Sequence, residues 1–184
     1  MATCFSHPAV PLAIACWAPR LRRRALLITA AMLSAAPDLD VIGWYLGVPY
    51  EAPWGHRGCT HSLVFALGTA LVVAPWLARR CGVEVWRVVL FFAAAMGSHG
   101  LVDMATDGGL GIALWWPFSD ERVFFAFRPL EVPPLGVRAF FSEWGQSVLR
   151  SEALWLWLPA AGTGAVGLWI TRRRAAPAAP SPGS

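Results

Sequence analysis

The stretch Gly55–Arg80, GHRGCTHSLVFALGTALVVAPWLARR, decides how the chain is read. Its second part, His61 to Ala78, has neither an acidic residue nor an arginine, and it approaches the roughly 20 apolar residues that cross a bilayer core. Its first part sets two histidines, an arginine, a cysteine and a threonine at the mouth of that run. Working outward, Ala153 to Thr171 is wholly uncharged and gives a second span, and Val88 to Val102 gives a third if Trp86 and Arg87 sit at the interface. Pro8 to Pro19 and Ala25 to Pro37 are shorter. Separated by Arg20, Arg22, Arg23 and Arg24, they read as a helical hairpin. The expected fold is all-α, a polytopic membrane helical bundle of about five apolar helices with a site at one membrane face.

Composition agrees. The 184 residues suffice for one domain; 57% are hydrophobic and 14% charged, against about 25% charged in an average soluble domain. All fifteen basic residues are arginine, and nine of them fall in short clusters, Arg20 to Arg24, Arg79 with Arg80, and Arg172 to Arg174. Each cluster flanks an apolar run, so membrane topology explains them better than nucleic-acid binding, and no nucleic-acid motif accompanies them. The expected partner is the lipid bilayer, with a lipid or phosphoester as substrate. Cys4, Cys16, Cys59 and Cys81 show no ligand spacing and argue against a zinc ribbon or a disulfide scaffold. Ser34-Ala35-Ala36 after an apolar run resembles a signal-peptide cleavage site, but the basic region would begin too late, after an already apolar stretch. Residues 1–174 are read as one membrane-embedded domain, and 175–184, AAPAAPSPGS, as a disordered tail.

Placing the arginine clusters in the cytoplasm makes the helices alternate, and His7, Asp38, Asp40, His56, His61, His99 and Asp103 then all fall at non-cytoplasmic ends. The reading is a multi-pass inner (plasma) membrane protein with its site on the non-cytoplasmic face. Arg57, Arg122, Arg128, Arg138 and Arg150 run against it, being basic on the outer side. The grouping on one side holds whichever side it is. The proline-interrupted segment from Asp107 to Arg150 suits an ordered loop or interfacial helix covering the site.

The chemistry concentrates in three patches. In His56-Arg57-Gly58-Cys59-Thr60-His61, Thr60 is placed to cap the next helix, with His61 in its first turn. His99 and Asp103 are four apart and share one helical face, a spacing at which imidazole and carboxylate bind one metal. Pro37-Asp38-Leu39-Asp40 suits a helix end, and two carboxylates near a bilayer are costly unless a cation compensates them. Asp38, His61, His99 and Asp103 are the leading metal ligands, followed by His7 and His56. Asp40 suits a ligand, a general base or a partner orienting an imidazole. Arg57 has the planar fork that holds an anionic group. Zinc suits the imidazole and carboxylate mixture best; manganese or iron accepts the same set.

An N-terminal His7, PDLD at 37–40, HRGCTHS at 56–62, and HGLVDMATDGG at 99–109 followed by ALWWPFS at 113–119 together resemble the YdjM-type family of bacterial membrane-bound metal-dependent hydrolases. The resemblance runs from Ser6 to Ser119 and omits the last helix; Asp107-Gly108-Gly109 replaces a more usual proline-containing turn. The order of ligands is more distantly similar to the zinc-dependent phospholipase C and P1-type nuclease group, which implies phosphoester hydrolysis at a multinuclear zinc centre. The expected activity is hydrolysis of a phosphoester or other ester of a lipid or interfacial substrate by metal-activated water. A non-catalytic membrane scaffold leaves the clustered histidines unexplained. A metal carrier or transporter needs polar groups through the midplane, where Leu63 to Ala78 offers only Thr69 and Ala153 to Thr171 little beyond Thr163.

Overall fold

A computed structural model describes residues 2–134 and 137–175. The helices are α1 (Ala9–Trp17), α2 (Arg24–Ala35), α3 (Val41–Tyr45), α4 (Leu63–Cys81), α5 (Val85–Met104), α6 (Val137–Phe140), α7 (Glu143–Glu152) and α8 (Leu158–Ala175). Among the described residues there is no strand, only the isolated bridges Thr106 to Leu130 and Ile112 to Val123. Four helical stretches are long and apolar enough to cross a bilayer: Arg24–Tyr45, Leu63–Cys81, Val85–Met104 and Glu143–Ala175. Their outward faces carry Met32, Leu71, Val72, Trp76, Leu90, Leu158 and Trp169, all exposed, as expected where lipid is the solvent.

The second span is longer than the sequence pattern indicates. Pro37 has no N–H to continue the α ladder, so after Ala35 the backbone tightens into a 3₁₀ turn over Ala36–Asp40 and resumes as α3. The first span is shorter. With nine residues α1 is about 14 Å long and does not cross by itself. It lies along α8 in the same direction: Ser6 pairs with Trp157, Gly164 faces Ala13 and Cys16, and Arg22 meets Thr171. A Cβ on Gly167 would come within 2.8 Å of the Trp17 indole, so the absent side chain is what lets the two helices approach.

α5 is the central helix, packed against α4 and α2. Ala70, Ala74 and Ala78 of α4 meet a core that holds Val88, Phe92 and Ala95 of α5 and Leu26 and Ala30 of α2. Small residues in α4 let backbones pack closely where lipid supplies no hydrophobic drive between helices. Ser62, rather than Thr60, caps α4: its hydroxyl accepts the Phe65 N–H at 3.1 Å. His61 accordingly sits in a 3₁₀ turn (Cys59–His61) ahead of the helix, not in its first turn. α4 ends at Gly82, whose φ of 63° suits the left-handed cap. The chain from Asp107 to Pro134 is irregular and folds over the site end of the bundle, while α7 leads through a π-helical turn into α8. Of the proposed tail, 176–184 lie outside the described residues, and Ala175 ends α8.

Candidate metal centre

Asp38, His61, His99 and Asp103 are all buried, and each offers a donor atom within 4.8 Å of the others. Three local structures bring them there. The 3₁₀ turn advances about 120° per residue, so Asp38 and Asp40, two apart, point to different neighbours. The i, i+4 spacing on α5 puts His99 and Asp103 on one face. Gly100 opens room between them: a Cβ there would stand 2.7 Å from the His61 carbonyl, so glycine lets the His61 turn press against α5.

The Nε2 atoms of His61 and His99 are 3.0 Å apart. His99 Nε2 lies 3.3 Å from Asp38 Oδ1 and 3.9 Å from Asp103 Oδ2; His61 Nε2 lies 3.9 and 3.8 Å from the same two oxygens. Ligands held about 2.0–2.1 Å from a tetrahedral zinc stand about 3.4 Å apart, so these separations suit one ion. Both rings are turned to present Nε2. His99 Nδ1 lies 2.8 Å from the Ser34 carbonyl, and His61 Nδ1 lies 3.2 Å from Asp40 Oδ2 and 3.0 Å from the Thr60 hydroxyl. A ring that donates from Nδ1 to oxygen keeps a bare lone pair on Nε2. Burial pushes the His61 imidazole down, which keeps it neutral.

The residues fit a cation on a further count. Both oxygens of Asp38, Asp103 Oδ2 and both nitrogens of His7 are buried without a hydrogen-bond partner. Buried polar atoms are almost always paired, and a carboxylate left unpaired in a low-dielectric interior is costly. A divalent ion between Asp38 and Asp103 would compensate the charge of these carboxylates.

The remaining predicted residues fall around this group. His7 is buried just before α1, its ring stacked on His99 at 3.8 Å between centroids. Asp40 is fully engaged: Oδ1 is 2.6 Å from His56 Nδ1, and Oδ2 accepts from the Thr60 hydroxyl at 2.7 Å and the Arg57 N–H at 3.2 Å. His56 stands apart from the four; with Asp40 and His61 it forms a second acid–histidine group. Arg57 is 1% exposed, and its fork donates to the carbonyls of Gly108 and Leu110 and to the Thr106 hydroxyl, while Nε faces Asp103 Oδ2 at 3.6 Å. Its φ of 64° is unusual for a side chain of that size. Asp107 accepts the Val132 N–H and holds the covering loop. Cys59 is buried and free, and burial raises its thiol. A groove of about 510 Å³, lined among others by Trp44, Tyr50, His56 and Arg57, opens beside the Asp40 group.

Two supports carry no signal in the sequence pattern. Glu152, fully buried, accepts from the Thr3 N–H at 2.5 Å and from the hydroxyls of Thr3 and Ser6 at 2.6 and 2.7 Å. It ties down the segment that bears His7 and whose Ala2 N–H donates to Asp103 Oδ1 at 2.9 Å. Arg122 donates to the carbonyls of Tyr50, Ala52 and His56 and fixes the loop carrying His56 and Arg57.

A profile of the family described as YdjM inner membrane protein matches residues 1–175. Inner membrane protein YbcI of Escherichia coli (strain K12) is 37% identical over 175 residues, covering 95% of this chain and all of the relative. The match therefore takes in the last helix, which the motif resemblance left out. No solved structure matches, and nothing in the comparisons supports the more distant similarity to the phospholipase C and P1-type nuclease group. With four span-length apolar helices this is a multi-pass membrane protein, and the chain belongs to the YdjM family of inner membrane proteins.

Proposed function

We propose that the protein is a membrane-bound metal-dependent hydrolase acting on an ester, phosphoesters foremost, of a lipid or other interfacial substrate. The carrying observation is the buried quartet of Asp38, His61, His99 and Asp103, with Asp38 Oδ1, Asp38 Oδ2 and Asp103 Oδ2 lacking any donor. Those four residues would hold the ion, zinc foremost. A divalent cation there supplies a Lewis acid and brings the pKa of a coordinated water to about 7.

The chain's own residues prepare that chemistry. Asp40 and the Ser34 carbonyl orient His61 and His99, so that each Nε2 faces the centre. Arg57 positions Asp103 through Nε and the turn beyond it through the Gly108 and Leu110 carbonyls. The groove beside Tyr50 and His56 has mostly apolar walls, which suits the acyl or prenyl part of an amphiphile. The arginine clusters gather at the end of the bundle away from the quartet, where Arg20 pairs with Glu84. That arrangement supports a site on the non-cytoplasmic face.

The test is metal content by elemental analysis of detergent-purified wild type beside the His99→Ala/Asp103→Ala double variant, followed by an ester and phosphoester screen with and without chelator. Stoichiometric metal lost in the double variant, with hydrolysis abolished by chelator, is expected. Equal and negligible metal in both, from protein purified without chelator, sinks the proposal in favour of a scaffold.

A further inference from the structure

We infer that a groove between α1 and α5, at the end of the bundle away from the quartet, binds an anionic phospholipid. Arg20 and Arg87 hold its phosphate, and the apolar walls beside them take the start of an acyl chain. Nothing in this depends on a metal at the quartet.

The charge of this end is written in the sequence. Residues 1–37 and 153–175 contain no acid, and Glu84 is the one acid between 52 and 102. Arg57 apart, these stretches carry ten arginines, all near the helix ends opposite the quartet. Tryptophans accompany them, as they do at membrane interfaces. Arg80 lies over the Trp76 ring at 4.4 Å, Arg87 over Trp86 at 5.0 Å and Arg173 over Trp169 at 4.0 Å.

One place at this end is also concave. The 3₁₀ turn Pro19–Leu21 follows α1 and faces the start of α5 across a groove of about 500 Å³. Trp17 and Leu21 line one side; Trp86 and Leu90, four apart and so on one face of α5, line the other. Arg20 and Arg87 complete the lining, with side chains 61% and 38% exposed. Arg20 pairs with Glu84, and Arg87 Nε stands 3.3 Å from the same carboxylate. Glu84 therefore holds the two forks side by side and occupies few of their donors, since each guanidinium carries five N–H groups. Arg87 Nε is itself buried without a hydrogen-bond partner. Two guanidiniums against one carboxylate leave a net positive charge, in the planar geometry that matches phosphate.

The walls decide between a lipid and a free anion. A soluble phosphate meets only two exposed arginines, whose attraction salt screens. A phospholipid also covers Trp17, Trp86 and Leu90, all of them exposed without it. Basic pockets between membrane helices hold anionic head groups, and each arginine near the surface contributes about fivefold in affinity. Arg87 and His99 stand about 18 Å apart along α5, so this lipid is distinct from a substrate at the quartet.

The test is native mass spectrometry of the full-length chain, delipidated in detergent and offered phosphatidylglycerol and phosphatidylcholine with identical acyl chains in equal amounts. One bound phosphatidylglycerol is expected in wild type, preferred about 25-fold for two arginines. The preference should vanish in Arg20→Ala/Arg87→Ala and persist in Arg172→Ala/Arg173→Ala. Leu90→Trp, which fills the groove and leaves the charges, should also weaken binding. Equal uptake of the two lipids overturns the site, and equal losses in both arginine double variants reduce it to diffuse charge. Glycerophosphoglycerol, the head group without chains, should not displace the lipid at equal concentration. Displacement would overturn the lipid in favour of a simple anion site. Should Arg20→Ala/Arg87→Ala fail to fold, Leu90→Trp and the head-group competition still decide.

Discussion

Two acid–histidine groups share His61 and lie side by side, yet they are in opposite electrostatic condition. Asp40, His56 and His61 form one; Asp38, His61, His99 and Asp103 form the other. Asp40 accepts from His56, Thr60 and the Arg57 backbone, and its carboxylate is complete without an ion. Asp38, seated two residues earlier in the same turn, has no donor on either oxygen. Proximity of acids to imidazoles therefore does not by itself identify a ligand. What separates ligand from support is whether the polar atoms are already satisfied.

The largest effect expected from this contrast is a reversal of stability between two identical substitutions. In metal-free protein Asp38→Asn removes a buried, uncompensated charge, so its unfolding temperature should equal or exceed that of wild type, while metal retention is lost. Asp40→Asn instead sets an amide against donors that need a carboxylate. Leaving a buried hydrogen-bond partner unsatisfied costs roughly 1–3 kcal/mol, and the unfolding temperature should fall by several degrees. Thermal unfolding of both variants in detergent, after chelation, checks this. A destabilised Asp38→Asn beside a neutral Asp40→Asn would invert the assignment of ligand and support.

Much of this site is legible in the sequence because helical periodicity is local. The four-residue step from His99 to Asp103 fixes a shared face without any knowledge of the fold, and the PDLD turn announces itself through its proline. What was not legible depends on partners far along the chain. Thr60 reads as a helix cap, but its hydroxyl is taken by Asp40, twenty residues earlier, and Ser62 caps instead. Arg57 and Arg122 read as charges opposing the topology. In the fold they are spent on loop carbonyls, so they say little about which side is cytoplasmic. Glu152 lies 149 and 146 residues from Thr3 and Ser6, and no local pattern marks such a staple.

A smaller effect sharpens the boundary between the two groups. Thr60→Val keeps the shape of the side chain and removes the hydroxyl that meets both Asp40 Oδ2 and His61 Nδ1. The ligands themselves remain. Loss of such an orienting partner typically weakens metal affinity about 10- to 100-fold, so zinc should still bind, with a dissociation constant raised by that factor in a competition titration. An unchanged constant would show that Asp40 alone holds the His61 ring. Complete loss of the ion would mean that Thr60 belongs to the centre itself.

The smallest effect belongs at the far end of the bundle, where Arg20 pairs with Glu84 and Arg87 also reaches Glu84, at 3.3 Å. The Arg20 and Glu84 side chains are 61% and 41% exposed. Exposed ion pairs are screened by water and salt and contribute little. Arg57 occupies the opposite regime, with no water to replace what its fork donates to. Arg20→Ala should therefore leave metal content and unfolding temperature indistinguishable from wild type, and elemental analysis with a thermal scan of the same sample checks both. If metal content nonetheless fell, the connection between α1 and α2 would have to transmit to His7 through α1 itself. The two ends of the bundle would then form one cooperative unit rather than an independent topology signal and an independent site.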